Sequence, residues 1–169
     1  MTRFIASRFI LLVFLSVSLV FISIFTINCV STAAPDTTFT TITGKKITLE
    51  DLRGKPVIVT FWATDCPACM KEIPHLIDLY TQYHKQGLEI IAVAMYYDPP
   101  DHIVTMTRDQ QLPYYVSLDL KSEHANAFGN VRLTPSTFLI TPDGLINLKK
   151  TGTFDYAEMK ARIEALLNG

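Results

Sequence analysis

The chain has 169 residues, a length that allows one domain and an appendage but not two full domains. Its 15 Lys and Arg residues against 16 Asp and Glu give a formal net charge of −1, so it lacks the basic excess typical of a nucleic-acid-binding protein. Hydrophobic residues make up 49% of the chain, and their excess lies near the N-terminus.

Residues 9–27 form an apolar run without a charged side chain. Two arginines precede the run, and the next basic residue after it is Lys45. This asymmetry of positive charge predicts that the N-terminus stays in the cytoplasm and that the chain after the run is exported. The run is long enough for a membrane helix, whereas a signal peptide usually has a shorter one. We therefore predict a membrane anchor or signal peptide over residues 1–34. Residues 35–169 then form a domain facing the periplasm or cell exterior, anchored in the inner membrane or soluble in the periplasm after cleavage.

The rest of the chain shows strands that alternate with helices. In chain order we predict a hairpin over residues 38–43 and 46–49, a strand over 57–62, a helix over 67–86 with a kink at Pro74, a strand over 88–97, a helix over 99–111, a strand over 114–119, a short helix over 122–128, a hairpin over 136–141 and 145–150, and a helix over 155–167. This order is typical of an α/β fold in which a mixed central sheet is flanked by helices.

The strongest chemical signal is a Cys-x-x-Cys pair, Cys66 and Cys69, between a predicted buried strand and the next helix. The third cysteine, Cys29, lies beside the apolar run, so the chain has no disulfide framework. A thiol at a helix N-terminus faces free backbone N–H groups and the positive end of the helix dipole, which lower its pKa. We therefore predict that Cys66 is the nucleophile and that Cys69, one turn further on the same helix face, resolves the mixed disulfide.

Three other uses of this pair are open. A zinc site would need more Cys or His ligands than the pair supplies, so we predict no metal site. A copper-handling module would need a further ligand, for which an approach of His124 is the available source. An inert structural disulfide is disfavoured, because a helix N-terminus makes such a bond easier to reduce.

Several short segments strengthen the redox interpretation when they are taken together in order and spacing. They are ITLEDLRGK at residues 47–55, FWATDCPAC at 61–69, EIP at 72–74, FGNVRLTPSTFLI at 128–140 and PDG at 142–144. In these segments the chain resembles the thioredoxin-like superfamily, and within it the exported or membrane-anchored thiol:disulfide oxidoreductases of the TlpA and ResA type.

The resemblance implies a thioredoxin fold with an N-terminal hairpin and an inserted αβ segment, which residues 98–128 could supply. It implies a protein disulfide reductase that uses no cofactor. Its substrates would be disulfides of other exported proteins, and a membrane protein of the thiol-transfer type would supply its electrons. A reductase specific for cytochrome c maturation is the alternative within this class.

Two further site residues match the family's cis-proline motif, Thr134 and Pro135. A proline beside the cysteines offers no N–H and no titratable group to compete with the sulfurs, and the Thr134 backbone would be free to bind an extended substrate segment. From the residues alone, an ordinary trans proline at the start of an edge strand is an equal alternative. The resemblance favours the cis bond.

Glu72 lies three residues after Cys69 and therefore on the same face of the predicted helix. A partly buried carboxylate there would have a raised pKa and could accept the proton of Cys69. The alternative is a solvated helix charge. The resemblance supports the first role, since Glu72 matches an acid of the ResA-like branch.

Asp65 departs from the family pattern, which commonly has Trp before the first cysteine. A carboxylate beside Cys66 is expected to raise the pKa of that thiol and to remove an aromatic docking surface.

Overall fold

The computed structural model describes residues 32–169 and places five strands of this range in one mixed sheet. The strands are β1 (Thr38–Thr40), β2 (Lys46–Thr48), β3 (Val57–Trp62), β4 (Glu89–Ala94), β5 (Tyr115–Leu118), β6 (Ser136–Ile140) and β7 (Ile146–Thr151). The helices are α1 (Pro67–Tyr83), α2 (Pro100–Asp109), α3 (Glu123–Ala127) and α4 (Tyr156–Asn168), with a 3-10 turn at His84–Gln86. The predicted α/β class with helices around a mixed sheet is confirmed.

The central sheet has the strand order β5-β4-β3-β6-β7. Strand β3 lies in the middle, parallel to β4 and antiparallel to β6, and all six of its residues are buried. Its β-branched and aromatic side chains suit a strand that is covered on both faces. Since Phe61 pairs with Ser136, the loop after β3 and the loop before β6 leave the sheet at the same end.

Successive side chains of β3 point to opposite faces and build two separate apolar clusters. Ile58 and Trp62 belong to the cluster that packs under α1, α2 and α4. Val59 and Phe61 belong to the other cluster, with Phe39 of the N-terminal hairpin and residues of the α3 region. Complete burial of each such side chain stabilises the fold by about 1.5–3 kcal/mol.

The predicted N-terminal hairpin is present as the antiparallel pair β1–β2. Phe39 at its centre is fully buried, and its ring packs 4.6 Å from the His124 ring, measured between centroids. The backbone also bridges from Thr41 to Ser117, which ties the hairpin to β5.

Some element ends differ from the predictions. Strand β4 stops at Ala94, not at residue 97, because the Asp98 amide bonds back to the Met95 carbonyl in a turn that leaves Tyr96 and Tyr97 exposed. Helix α1 continues through Pro74 and ends at Tyr83, where the chain tightens into the 3-10 turn.

The predicted membrane anchor or signal peptide lies outside the described residues. Within residues 32–169, no helix combines the length and apolarity that crossing a membrane requires.

Candidate active site

Cys66 and Cys69 are joined in a disulfide at the beginning of α1, with their Cα atoms 5.2 Å apart. Cys66 is the N-cap residue of the helix, and its sulfur accepts a hydrogen bond of 3.1 Å from the Cys69 amide. Cys66 is 9% exposed and Cys69 2%, so the first sulfur is the more accessible of the two. The expected placement of the pair at a helix N-terminus is confirmed.

The local sequence explains why the helix begins here. Buried strand β3 ends at Trp62, and the Cys66 amide bonds to the Ala63 carbonyl at 3.3 Å, which closes a turn between strand and helix. Pro67 follows at the first helical position, where its missing N–H costs no hydrogen bond. The two sulfurs are therefore held at the junction of the sheet and α1.

A buried carboxylate that follows β4 binds the loop between β3 and α1 through hydrogen bonds. Asp98 follows β4, is 5% exposed and accepts hydrogen bonds from both the amide and the hydroxyl of Thr64, the latter at 2.7 Å. Thr64 lies two residues before Cys66, so Asp98 fixes the loop that carries the first sulfur. No sequence motif points to Asp98, although it follows a buried strand, at the strand end where α/β folds often place functional groups.

Glu72 is buried under the sheet, with only 2% of its surface exposed. Its Oε1 accepts a hydrogen bond from the Phe154 amide at 3.0 Å, and its Oε2 accepts one from the Thr137 hydroxyl at 3.4 Å. The alternative of a solvated helix charge is therefore wrong. The burial reflects its helix position, since Cys69, Ile73 and Leu76 share the same inner face of α1.

Burial raises the pKa of Glu72 to about 7, because removing a carboxylate from water disfavours its charged form. The hydrogen bonds from Phe154 and Thr137 oppose this rise. When Glu72 is ionised, the single proton of the Thr137 hydroxyl is donated to it, and Thr60 is then the donor in the 2.9 Å bond between Thr60 and Thr137. Near neutral pH, Glu72 can therefore either hold or accept a proton.

Cys69 and Glu72 line the same small cavity, together with Thr60 and Trp62. Its volume is about 10 Å³, close to the space that one water molecule needs. The shared cavity gives the inner sulfur and the carboxylate a common, desolvated environment.

The Thr134–Pro135 peptide bond is cis, as the resemblance implied. Pro135 directly precedes β6, and its carbonyl accepts a hydrogen bond from the Gly152 amide at 2.8 Å. By the pairing of Phe61 with Ser136, this bond lies at the sheet end that carries the cysteine loop. Within residues 32–169, the backbone of Thr134 makes no hydrogen bond.

His124 does not approach the cysteines. It packs on Phe39, in the cluster on the opposite face of the sheet, and its Nδ1 lies 2.8 Å from the Thr37 hydroxyl. Its burial lowers its pKa. The copper alternative, which needed His124 beside the pair, is therefore wrong on this point, because the sheet lies between them.

Asp65 is exposed and forms no ion pair within the described part of the chain.

The chain is a thiol:disulfide oxidoreductase, because its Cys-x-x-Cys disulfide begins α1 at the end of a thioredoxin-like sheet that also carries the cis-proline, and a buried acid follows on the same helix. Residues 30–149 match the model of the AhpC/TSA family, and the chain belongs to that family.

Named relatives and solved structures that are similar to this chain support the same class. The chain is 34% identical over 137 residues to thiol-disulfide oxidoreductase ResA of Geobacillus thermodenitrificans, which is 81% of this chain and 78% of the relative. It is similar to a putative thioredoxin from Neisseria meningitidis, with a TM-score of 0.76, 28% identity and coverage of 82% and 92% of the two chains. It also resembles a putative thiol:disulfide interchange protein DsbE from Chlorobium tepidum, with a TM-score of 0.74, 26% identity and coverage of 81% and 96%.

Proposed function

We propose that this protein reduces disulfides of other exported proteins by cycling Cys66 and Cys69 between dithiol and disulfide, with Glu72 as the proton acceptor for Cys69. The observation that carries this proposal is the cavity shared by Cys69 and the buried Glu72, directly beneath a more accessible Cys66 at the helix N-terminus. The two sulfurs thus lie in different environments that suit different steps.

In the first step, the Cys66 thiolate attacks one sulfur of a client disulfide. A mixed disulfide forms, and the other client sulfur leaves as a thiolate that takes a proton from water. Cys69 then attacks the Cys66 sulfur, which forms the Cys66–Cys69 disulfide and releases the second client thiol. The client gains two electrons and two protons, and the protein loses the same number.

Glu72 acts in the second step. Cys69 is 2% exposed and has little access to bulk water as a proton acceptor. A carboxylate with a pKa of about 7 can take the Cys69 proton near neutral pH, directly or through one water in the shared cavity. The proton then leaves Glu72 for solvent or for the client thiolate that is released when Cys69 attacks the Cys66 sulfur.

Thr134 and Pro135 form the client-binding edge in this proposal. The Thr134 backbone has a free N–H and a free C=O within the described residues, which are the groups that an extended client segment would pair with by strand addition. Pro135 presents no N–H that could compete for the sulfurs.

Export and an electron donor complete the proposal. The apolar run at residues 9–27 and the basic residues before it support an anchor, or a cleaved signal, that delivers residues 35–169 across the membrane. A membrane protein of the thiol-transfer type would then return the disulfide to the dithiol. Protease treatment of spheroplasts tests the topology, since an exported domain is digested while a cytoplasmic one is protected.

The assignment of the two sulfurs is tested by trapping. Cys69→Ser retains the attacking thiol but cannot resolve the mixed disulfide, so adducts with client proteins accumulate. Cys66→Ser lacks the attacking thiol and forms no mixed disulfide. Non-reducing gels followed by mass spectrometry of the adducts make the comparison. Equal trapping by the two variants would overturn the assignment.

The role of Glu72 is tested by Glu72→Gln, which keeps the shape of the side chain but cannot accept the proton. We expect slower resolution of the mixed disulfide, by about 10- to 10³-fold, with its formation unchanged. Rapid-quench measurement of the two steps separates them. An unchanged resolution rate would leave Glu72 with a structural role only.

A further inference from the structure

A shallow depression with two cations lies next to the Thr134–Pro135 bond. Its volume is about 200 Å³, and it is lined by residues 129–133, Ser136, Lys149 and Thr151. No acidic residue lines it.

Neither cation has a carboxylate partner in the part of the chain that the structure describes. Arg132 is exposed, and its side chain makes one long hydrogen bond of 3.5 Å, from Nε to the Asn130 side chain. Lys149 is also exposed, and its Nζ lies 5.4 Å from the centre of the Phe138 ring. Both charges therefore remain available to an anionic group that enters the depression.

The depression adjoins the proposed client-binding edge. Leu133 and Ser136, which line it, are the residues on either side of Thr134 and Pro135. Arg132 is two residues from Thr134, so their Cα atoms lie no more than about 7–8 Å apart. A client segment that pairs with the Thr134 backbone therefore also passes Arg132. The client residues that pass Arg132 are only a few positions from the client cysteine.

We propose that this depression selects client segments that carry carboxylates close to the cysteine to be reduced. The inference rests on the proposed function and names its substrate class. Arg132 binds a client carboxylate through its planar guanidinium and Lys149 binds one as a point charge. Because both cations are solvent-exposed, they add a modest, salt-sensitive preference rather than most of the binding energy.

The test uses the reduced full-length protein and short peptide disulfides that differ only in the residues flanking the cysteine, which are Glu, Gln or Lys. Each rate constant is divided by that for dithiothreitol with the same peptide, which corrects for the effect of the flanking charge on the disulfide itself. We expect the Glu peptide to be reduced about three- to tenfold faster than the Gln peptide at low salt, and the Lys peptide more slowly. The ratio should approach one at high salt.

The double variant Arg132→Gln, Lys149→Gln should bring the ratio of Glu to Gln peptides near one. Lys150→Gln is the matched control, since Lys150 is also exposed on β7 but its side chain points to the other face of the sheet. It removes one positive charge from the same strand, against two in the double variant, and should leave the ratio unchanged.

Equal corrected rates for all three peptides would overturn this inference and leave the reductase function intact. A preference that persists in the double variant, or that Lys150→Gln removes equally, would also overturn it. If the reduced protein reacted with none of the peptides, the proposed function would fall and this inference with it.

Discussion

The amide of Phe154 donates a hydrogen bond of 3.0 Å to Oε1 of Glu72, although the two residues are 82 positions apart. Phe154 lies just before α4, and Glu72 lies in the second turn of α1. The carboxylate thus obtains one of its two hydrogen bonds from the loop that leads into the last helix. The acid strength of Glu72 therefore depends on the packing of the C-terminal part of the chain.

Glu72→Gln should gain stability relative to the wild type as the pH rises, when both proteins are oxidised. The folded state holds the Glu72 proton up to about pH 7, whereas the unfolded chain releases it near 4.5. Stability from the protonated form is fully present below about 4.5 and is lost as the pH rises through 7. Between pH 4 and 8, the free energy of unfolding of the variant relative to wild type should rise by roughly 3 kcal/mol.

Urea unfolding of the oxidised proteins at a series of pH values measures this difference. Glu123→Gln is the control, because Glu123 is exposed and lies 4.0 Å from Lys121 on the surface. The control should show a much smaller change than Glu72→Gln, because it removes an exposed carboxylate. If the difference in free energy of unfolding between Glu72→Gln and wild type did not change with pH, Glu72 would titrate alike in the folded and unfolded states.

Thr137→Val should raise the pKa of Glu72 further. The Thr137 hydroxyl donates to Oε2 and so favours the charged carboxylate, and valine removes that bond while keeping the shape. Resolution of the mixed disulfide should then need a higher pH, which a pH profile of client thiol release would detect. Thr107→Val is the control, since the buried Thr107 hydroxyl has no hydrogen-bond partner within residues 32–169. If the two profiles coincide, Thr137 does not tune the acid.

Asp98→Asn should loosen the cysteine loop. Asparagine keeps one oxygen that can accept from the Thr64 amide, but its NH₂ group cannot accept the Thr64 hydroxyl proton, so one charged acceptor of the pair is lost. We expect a loss of about 1–3 kcal/mol in the free energy of unfolding, with slower attack by Cys66. Asp101→Asn, an exposed position in the first turn of α2, should change both quantities far less. Equal effects of the two substitutions would mean that the hydrogen bonds between Asp98 and Thr64 do not hold the cysteine loop in place.

Asp65→Asn should make Cys66 more reactive at neutral pH. A carboxylate next to a thiolate disfavours the charged sulfur, so its removal should lower the pKa of the Cys66 thiol. The shift should shrink at high salt because Asp65 is exposed. Alkylation of the reduced protein by iodoacetamide, a neutral reagent, measures the thiolate fraction against pH. Asp143→Asn, at the far β6–β7 turn, should leave the curve in place.

Local patterns in the sequence carried most of the fold. The β-branched run of β3 and the start of α1 after the first cysteine each depend on a few neighbouring residues, and the structure confirms both. Element ends were less well predicted. Strand β4 is shorter than the predicted range 88–97, because a backbone turn from Met95 to Asp98 ends it before Tyr96 and Tyr97.

The contacts that tune the site could not be predicted, because they join distant parts of the chain. Glu72 was singled out by its spacing from Cys69, yet its partners Thr137 and Phe154 come from other elements. Asp98 reaches Thr64 from 34 positions away. The copper alternative needs His124 near the cysteines, but α3 packs on the other side of the sheet and keeps His124 away from them.

Trp62 is the only tryptophan of the chain, and its indole lies against the cavity of Cys69 and Glu72. It is 4% exposed, so its fluorescence is shielded from solvent and responds to the groups that surround it. A neighbouring disulfide quenches indole emission, and a neighbouring carboxylate changes it upon ionisation. The chain thus contains an intrinsic optical probe at the inner sulfur, and reduction of the Cys66–Cys69 bond and titration of Glu72 should both be visible in the unlabelled protein.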